Sequence, residues 1–349
     1  MNVVIDEKIP YLKDALEAMG HSVLAKPGVD ICAGDVADAE ALFVRTRTRC
    51  DASLLDGSSV RFIGTATIGY DHIDACYCAA NSIEWTSAAG CNSGAVLQYV
   101  QSVVYAWSRE RGVPVEGLSL GIVGAGEIGT KVALWARRAG MRVLLNDPPR
   151  AQREGAGGFF SLECVAGECD IITFHPTLVR NGNFPSYHLA DAAFFASLAK
   201  CRLLINASRG PVFDNDALLA AMEKGMAADV VLDVWEHEPR LNLPLLNKVY
   251  IGTPHIAGYS AEGKMNATRI VLEAFARFTN YAGTLPLPIM PSPDPDTVVA
   301  RSFADAALQI YSPQRDSAAL KAEPAMFEEL RNNYRLRREP SSYKLHLEK

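Results

Sequence analysis

The sequence has no apolar run that approaches the roughly 18 residues needed for a membrane-spanning helix. It also lacks an excess of basic residues: 34 lysines and arginines stand against 40 aspartates and glutamates, and the formal net charge is -6. That balance disfavours general binding to nucleic acid or to anionic membranes. The first residues, MNVVIDEKIPY, carry acids where a signal peptide has basic and then apolar residues. We therefore expect neither nucleic acid nor a membrane among the partners.

Signals for metal binding and for disulfides are missing as well. The eight cysteines, at positions 32, 50, 76, 78, 91, 164, 169 and 201, form no C-x-x-C pair and have no regular spacing. Zinc sites and small disulfide frameworks depend on such spacing. We predict reduced thiols, no metal site and a cytoplasmic location.

The chain does contain a long alternation of short apolar runs and helical patterns. Its 349 residues exceed one typical hydrophobic core, so two or three domains are expected. In the middle of the chain the runs are continuously apolar, which is typical of strands buried on both faces of a parallel, doubly wound sheet. The predicted strands cover residues 118–123, 141–146, 170–174, 202–206, 228–233 and 249–253.

A smaller α/β unit precedes this region, and a tail follows it. The predicted elements outside the central region are strands at 2–6, 41–44 and 60–64 and helices at 11–20, 73–81, 92–111 and 261–280. The proline-rich stretch 285–296 cannot sustain a helix and indicates a linker. The remaining tail, 297–349, is too short for a substantial core, so we expect it to pack on another subunit or on the main domains.

A glycine-rich turn follows the first central strand, in the sequence LSLGIVGAGEIG. Gly124 permits a sharp turn, Gly126 lets the backbone approach a pyrophosphate, and Gly129 allows close packing of helix on strand. A helix-compatible stretch follows at 130–140, and its amino end supplies free N–H groups to an anion. The pattern predicts a dinucleotide-binding site.

Asp147 ends the next strand, 18 residues beyond Gly129. A carboxylate at this distance can accept hydrogen bonds from the adenosine ribose, and it would repel a 2′-phosphate. This favours NAD over NADP. The alternative is a turn residue before Pro148.

Polar side chains follow four of the predicted strands, where ligands bind in an open parallel sheet. Arg209 can grip a carboxylate by two parallel hydrogen bonds, although a surface arginine is the alternative. His255 is the candidate proton acceptor, with Glu238 as the carboxylate that stabilises its protonated ring. A structural role for His255 and a solvated loop position for Glu238 remain open, and His175 is the rival base. Such a set suits dehydrogenation of a 2-hydroxy acid.

Four motifs occur in this order: GIVGAGEIG, INASRG, LDVWEHEP and TPHIAG. Together they resemble the D-isomer-specific 2-hydroxyacid dehydrogenase family. The resemblance implies NAD as cofactor and Arg209, Glu238 and His255 as the catalytic residues, with His255 accepting the hydroxyl proton in the oxidative direction.

The resemblance also implies a domain plan. A flavodoxin-like α/β substrate-binding domain would comprise residues 1–95 and 257–284, and a Rossmann NAD-binding domain residues 96–256. A short C-terminal dimerisation domain would comprise residues 285–349. A homodimer is therefore expected.

The remaining site residues are implied by the same resemblance. The expected NAD contacts are Gly124, Gly126, Glu127, Ile128, Gly129, Asp147, Pro176, Ala207, Ser208, Arg209, Asp233 and Gly258, with Asp233 holding the carboxamide of the nicotinamide. The expected substrate contacts are Arg45, Thr46, Thr67 and Tyr259.

Further segments are similar to one member of the family that acts on a phosphorylated 2-hydroxy acid. They are VVIDEKIPY, FVRTRTR, FIGTATIGYDHID, NDPPRA, TPHIAGYSAEGK and FEELRNNYRLRRE. Arg45, Arg47 and Arg49 recur at period two, so in an extended segment they would share one face and could hold a phosphate. The alternative is a solvated edge-strand face.

Two other functions remain open at this point: a phosphoglycerate or hydroxypyruvate type of dehydrogenase, and an NAD-sensing binding protein like the corepressors built on this fold. Three positions depart from the family pattern. Pro176 cannot donate a backbone hydrogen bond to a cofactor, Gln98 stands where a glutamate is usual, and Pro340 replaces an aromatic residue.

Overall fold

The computed structural model describes residues 1–226 and 228–348. The chain forms two compact units. Unit 1 comprises Met1–Asn92 and Ser260–Ser292, and unit 2 comprises Ser93–Tyr259 and Pro293–Lys349. The C-terminal tail, which we expected as a separate domain from residue 285, is thus part of unit 2 from Pro293 onward.

Unit 1 contains a five-stranded parallel sheet with the strand order β2-β1-β3-β4-β5. The strands are β1 (Asn2–Asp6), β2 (Ser22–Lys26), β3 (Ala41–Val44), β4 (Phe62–Thr65) and β5 (Glu84–Ser87). This is the flavodoxin order, in which ligands bind where the winding reverses, here between β1 and β3. The expected flavodoxin-like fold is confirmed, and Asp6 ends β1 at the reversal.

Four helices connect these strands: α1 (Leu12–Ala18), α2 (Ala33–Val36), α3 (Ala52–Leu55) and α4 (Ala75–Ala80). Aspartates cap the amino ends of two of these helices. Asp51 accepts a hydrogen bond from Ser53 N at the start of α3, and Asp74 accepts one from Tyr77 N at the start of α4. Such side chains satisfy N–H groups that the first helical turn leaves without a partner.

Unit 2 contains a six-stranded parallel sheet with the order β11-β10-β9-β8-β6-β7. The strands are β6 (Ser119–Val123), β7 (Arg142–Asn146), β8 (Ile171–Phe174), β9 (Leu203–Asn206), β10 (Asp229–Leu232) and β11 (Ile251–Gly252). All six match predicted strands. Four of the six, β6, β8, β9 and β11, are buried at every position, as their apolar runs require. The doubly wound sheet is confirmed, and its winding reverses between β6 and β8.

Helices cover both faces of this sheet, over two separate apolar clusters. They are α5 (Ser93–Arg111), α6 (Glu127–Arg138), α7 (Pro148–Glu154), α8 (Leu162–Glu168), α9 (Ala192–Ser197), α10 (Asn215–Glu223) and α11 (Leu243–Lys248). Helix α6 begins three residues before the predicted stretch at 130, because Gly126 already occupies the N-cap position. The next helix, α12 (Ala261–Phe278), returns to unit 1, where Phe275 packs against Phe43 and Phe62.

The tail packs on the rest of unit 2. It contains β12 (Thr297–Ala300), α13 (Phe303–Ile310), α14 (Pro313–Ala322), α15 (Phe327–Asn332) and β13 (Lys344–Leu347), with β12 and β13 paired in parallel. Leu320 and Phe327 are fully buried in the core of unit 2. Ser317 accepts a hydrogen bond from the backbone of Gly252 in β11 at 3.0 Å. The expectation that the tail packs on the main domains therefore holds within this chain.

Two further observations concern the expectations from composition. Within the described chain, the helices lack the combination of length and apolar character that a membrane span requires. All eight cysteines are described, and each is a free thiol.

The contact between β6 and α8 yields a stability prediction. A Cβ at Gly121 would overlap Val165 Cγ1 and lie 3.0 Å from Cys169 Sγ, whereas a Cβ at Gly167 on the same helix would meet nothing within 4 Å. Gly121→Ala should lower the free energy of unfolding by about 1–3 kcal/mol through overpacking. Gly167→Ala should raise it by up to about 1 kcal/mol, because alanine favours helix. Urea denaturation measures both, and equal effects would contradict this packing.

Candidate active site

The glycine-rich turn lies between β6 and α6. Gly124 has a φ of 89°, a conformation that residues with a side chain rarely adopt. A Cβ at Gly129 would overlap the carbonyl oxygen of Gly124, so glycine is required where the helix meets the turn. A Cβ at Gly126 would meet nothing within 4 Å. The open space beside Gly126 at the amino end of α6 suits an anionic group.

Asp147 links the glycine-rich turn to the next helix. Its Oδ2 accepts a hydrogen bond from Ala125 N at 2.8 Å, and its Oδ1 accepts one from Arg150 N at 2.9 Å. The second bond begins α7, so the turn-residue alternative describes part of what Asp147 does. The first bond orients the carboxylate beside the glycine-rich turn, where a dinucleotide ribose is expected. Its contact with the ribose stays a prediction.

The loops after β9 and β10 pack directly on each other. Asn206 ends β9, and its Oδ1 accepts hydrogen bonds from Ser208 N and Oγ at 3.1 and 2.8 Å. Arg209 is half-buried, and its Nη1 donates to the carbonyl of Ser208 at 2.8 Å. A Cβ at Gly210 would overlap the carbonyl of Trp235. Arg209 therefore stands at the carboxyl end of the sheet, next to the loop that carries Glu238.

Asp233 is a buried carboxylate that holds the loop after β11. Its Oδ1 accepts hydrogen bonds from Thr253 Oγ1 at 2.7 Å and Ile256 N at 2.8 Å, and its Oδ2 accepts one from Ala257 N at 2.9 Å. Burial raises the pKa of Asp233, while the His255 charge and these hydrogen bonds oppose the rise. The carboxylate of Asp233 therefore holds the loop after β11, a structural role that is not predicted from the sequence. Its expected contact with the nicotinamide stays a prediction.

His255 and Glu238 are in direct contact. His255 Nδ1 lies 2.5 Å from Glu238 Oε1. Burial alone would raise the pKa of Glu238, but the hydrogen bond and charge of His255 and the charge of Arg331 outweigh it and lower that pKa. Glu238 is therefore a carboxylate near neutral pH and accepts from Nδ1, which leaves Nε2 as the proton-accepting nitrogen of the neutral ring.

The backbone at His255 is held in an unusual conformation. Its φ is 57°, in the left-handed region. Its N–H donates to Asp233 O at 2.8 Å and to Thr253 O at 3.0 Å. These two hydrogen bonds hold His255 in a left-handed backbone conformation that costs conformational energy for a residue with a side chain. Such conformations are frequent at functional sites.

His175, the rival base, has a different environment. Its Nε2 lies 3.0 Å from Thr173 Oγ1, and its Nδ1 is buried without a hydrogen-bond partner in the described structure. Burial lowers the pKa of His175 to about 3. The ring is therefore neutral and, among its described contacts, has no carboxylate to stabilise its protonated form, so the geometry favours His255 as the base.

The other expected NAD residues also lie in unit 2. Pro176 packs against the turn, because a Cβ at Gly124 would lie 2.6 Å from its nitrogen. Ala207 is buried after β9, and Gly258 is half-buried after the His255 loop. Glu127 and Ile128 form the first turn of α6.

Two arginines of the tail reach the same region, and neither is predicted from the sequence as a site residue. Arg331 Nη1 lies 3.9 Å from Glu238 Oε1, and Arg331 Nε donates to Tyr259 Oη at 3.3 Å. Arg337 is buried and donates to the carbonyls of Ile256 and Ala257. The sequence feature that could have identified them is the segment FEELRNNYRLRRE, which contains both arginines.

The other expected substrate residues belong to unit 1. Arg45 follows β3, and its Nε donates to Asp6 Oδ2 at 3.0 Å. Thr46 is exposed beside it. Thr67 Oγ1 donates to the carbonyl of Gly69 at 2.8 Å, and it lies 2.7 Å from Thr65 Oγ1.

The prediction that Arg45, Arg47 and Arg49 share one face of an extended segment is wrong. Residues 46–48 form a turn, which Thr48 N closes with a hydrogen bond to the carbonyl of Arg45 at 3.2 Å. A turn does not keep alternate side chains on one face. Arg45 pairs with buried Asp6, whereas Arg49 is mostly exposed and pairs with Asp51 at 2.6 Å.

Comparison with known proteins places this site in a family. Residues 94–257 match the family model of the D-isomer specific 2-hydroxyacid dehydrogenase, NAD binding domain. Residues 294–349 match a domain of unknown function (DUF3410). The erythronate-4-phosphate dehydrogenase of Bacteroides fragilis (strain YCH46) is 50% identical over 349 residues, which are 99% of each chain. That of Serratia proteamaculans (strain 568) is 40% identical over 355 residues, 99% of this chain and 95% of the other.

The chain belongs to the erythronate-4-phosphate dehydrogenase family. Since residues 94–257 match the NAD binding domain of the wider family, the cofactor is NAD. The open glycine-rich turn, the amino end of α6 and the orientation of Asp147 all fit such a dinucleotide.

Solved structures support the same fold. The 3-phosphoglycerate dehydrogenase of Entamoeba histolytica has a TM-score of 0.67 at 21% identity, covering 83% of this chain and 99% of its own. The D-lactate dehydrogenase of Aquifex aeolicus has a TM-score of 0.62 at 23% identity, covering 80% and 96%. At this identity the likeness concerns the fold alone.

The glycine-rich turn yields a binding prediction. Gly126→Ala should keep the Tm within about 2 °C, because the added Cβ meets no neighbour. It should weaken NAD binding, because the methyl group occupies the space in which the backbone approaches the pyrophosphate. Gly129→Ala should lower both the Tm and NAD affinity, because it displaces the Gly124 carbonyl. Fluorescence titration with NAD and thermal unfolding measure these effects; unchanged NAD affinity in Gly126→Ala would contradict this binding mode.

Proposed function

We propose that the protein oxidises the C2 hydroxyl of 4-phospho-D-erythronate with NAD to give 3-hydroxy-2-oxo-4-phosphooxybutanoate, in the biosynthesis of pyridoxal 5′-phosphate. The observation that carries this proposal is the 50% identity to an erythronate-4-phosphate dehydrogenase across 99% of both chains. The hydrogen-bonded pair of Glu238 and His255 at the end of the sheet supports it chemically.

The pair supplies the proton acceptor. Glu238 holds Nδ1–H of His255, which leaves the lone pair on Nε2 to take the proton of the substrate hydroxyl. As the ring becomes positively charged, the carboxylate of Glu238 stabilises it. When bound, NAD would supply the two-electron acceptor for the hydride of C2. C2 thereby becomes a ketone carbon.

Other residues would hold the reactants. We assign to Arg209 the grip on the substrate carboxylate, because a guanidinium can donate two parallel hydrogen bonds to it. The remaining substrate contacts would come from Arg45, Thr46, Thr67 and Tyr259. The NAD contacts would come from Gly124, Gly126, Glu127, Ile128, Gly129, Asp147, Pro176, Ala207, Ser208, Arg209, Asp233 and Gly258.

Turnover of candidate substrates tests this function. The purified protein should form NADH from 4-phospho-D-erythronate and far less from 3-phosphoglycerate or hydroxy acids without a phosphate. A preference for 3-phosphoglycerate would indicate the phosphoglycerate type instead. Binding of NAD without turnover of any 2-hydroxy acid would indicate an NAD sensor.

The same assay tests the base. His255→Ala should lower kcat by about 10²–10⁴-fold, the usual contribution of a positioned base. NAD affinity should remain, since the ring acts on the substrate proton. His175→Gln should lower kcat far less, because that ring has no carboxylate partner among its described contacts. The reverse ranking of the two variants would assign the base to His175.

We also propose that the enzyme acts in the cytoplasm as a homodimer. Eight free thiols support a reducing compartment. The described part of the tail ends in a sheet of only two strands, which is marginal by itself. Apolar side chains of this sheet and of α13 are between 38% and 64% exposed: Val299, Leu345 and Leu347 in the sheet and Phe303 in the helix. A second copy of this chain would cover these apolar groups.

Light scattering tests the dimer. The native protein should have twice the mass of one chain, and Leu345→Glu with Leu347→Glu should produce monomers by placing charges in the interface. Ile289→Glu is the matched control, because Ile289 is 96% exposed in unit 1. A monomeric native protein would overturn the proposal, as would a double variant that stays dimeric.

A further inference from the structure

The tail carries a charged side chain directly to the proposed base. Arg331 lies in the last turn of α15, and its side chain is 26% exposed. Its Nη1 is 3.9 Å from Glu238 Oε1, the same oxygen that accepts from His255 Nδ1 at 2.5 Å. One carboxylate oxygen therefore faces both an arginine and the imidazole.

Arg331 also reaches an expected substrate residue. Its Nε donates to Tyr259 Oη at 3.3 Å. Tyr259 belongs to the loop that begins with His255, and its N–H donates to the carbonyl of Ile256 at 2.9 Å. The guanidinium thus connects Glu238, which follows β10, with the loop that follows β11.

The position of Arg331 does not depend on these contacts. Phe327, at the start of α15, is fully buried, and Leu330 packs against the same core. Arg337 anchors the chain beyond α15: it donates to Gln98 Oε1 at 2.9 Å and to the carbonyls of Ile256 and Ala257. The tail is therefore fixed by buried groups, and Arg331 projects from it toward the carboxylate.

We propose that Arg331 is a positioning residue for the proposed dehydrogenation. Arg331 holds Glu238 and Tyr259 so that the His255 ring is correctly oriented and its protonated form is not overstabilised. This assigns a task to a region whose family model has no stated function, and it rests on the proposed function. Arg331 and His255 share one carboxylate oxygen, so the guanidinium limits how strongly Glu238 can stabilise a charged imidazole. A base held in this way releases its proton more readily after each turnover.

Several charged or titratable groups in the described residues act on this site. Asp233, at the end of β10, interacts with His255. Glu328, one helical turn before Arg331, and Tyr259 interact with Arg331. Arg337 interacts with Asp233. Phe327 fixes α15 through apolar contacts that do not involve the Arg331 charge. Arg331→Met therefore removes the guanidinium contacts with Glu238 and Tyr259 and leaves this anchor in place.

Four proteins test the proposal: the native enzyme, Arg331→Met, Arg331→Lys and Arg335→Met. Arg335 is an exposed arginine four residues further along the same tail, so its replacement controls for loss of a surface charge. Arg331→Met should lower kcat for 4-phospho-D-erythronate by roughly 10–100-fold, as expected for misplaced catalytic groups. The KM for NAD should stay unchanged. Arg331→Lys should recover part of the loss, and Arg335→Met should match the native enzyme.

The pH profile separates positioning from folding. Without the competing cation, the charged imidazole is more stable, so the acid limb of kcat/KM should move to higher pH in Arg331→Met and return toward the native position in Arg331→Lys. An NMR titration of the His255 ring without substrate should move in the same direction. Native kcat and an unshifted titration in Arg331→Met would overturn the proposal. Equal losses in Met and Lys variants, accompanied by a lower Tm, would also overturn it.

The two proposals can fail separately. If the native protein does not oxidise 4-phospho-D-erythronate, the proposed function fails, while the NMR titration still tests the effect of Arg331 on His255. If the native protein is active and Arg331→Met equals it in kcat and in titration, only the inference fails.

Discussion

A buried carboxylate organises the proposed catalytic centre. Asp233 ends the strand region of β10 and accepts three hydrogen bonds from the loop after β11. These bonds, together with the backbone bond from His255 N to Asp233 O, hold the loop in one conformation. Because a buried carboxylate without donors is costly, the loop cannot move away without leaving those oxygens unsatisfied. The contact between His255 and Glu238 depends on this constraint.

Parallel sheet topology explains why the relevant side chains are far apart in sequence. Each strand of the six-stranded sheet ends at the same edge, so the loops that carry Arg209, Glu238 and His255 stand at the carboxyl ends of neighbouring strands β9, β10 and β11. The glycine-rich turn follows β6, where the winding reverses. A dinucleotide bound over that turn can extend along the same edge, which is the general arrangement of open α/β sheets.

The tail also stabilises the loop that carries His255. Buried Arg337 donates to backbone carbonyls of the His255 loop, and its guanidinium lies 4.3 Å from the ring centroid of Tyr311. Tyr311 and Tyr334 both donate to Asp316 at 2.9 Å, and burial raises the pKa of Asp316 against the opposing effect of these bonds. Through Arg337 this network couples the tail to the loop, and loss of the Arg337 guanidinium would remove a donor from the carbonyls of Ile256 and Ala257.

The sequence by itself determined the central sheet and the candidate residues. Continuous apolar runs are a local signal, because a strand buried on both faces has no polar side, and the glycine spacing identifies one turn for the same local reason. The edge strands β2 and β5 escaped prediction because their partly exposed residues carry no such signal. Only the tertiary structure decided which histidine meets a carboxylate, that residues 46–48 turn, and that Arg331 reaches Glu238. The contacts of His255 and Arg331 join segments distant in the chain, and their energies depend on burial and distance, which local composition does not encode. The turn at 46–48 is local, but it carries Arg45, whose partner Asp6 ends a distant strand.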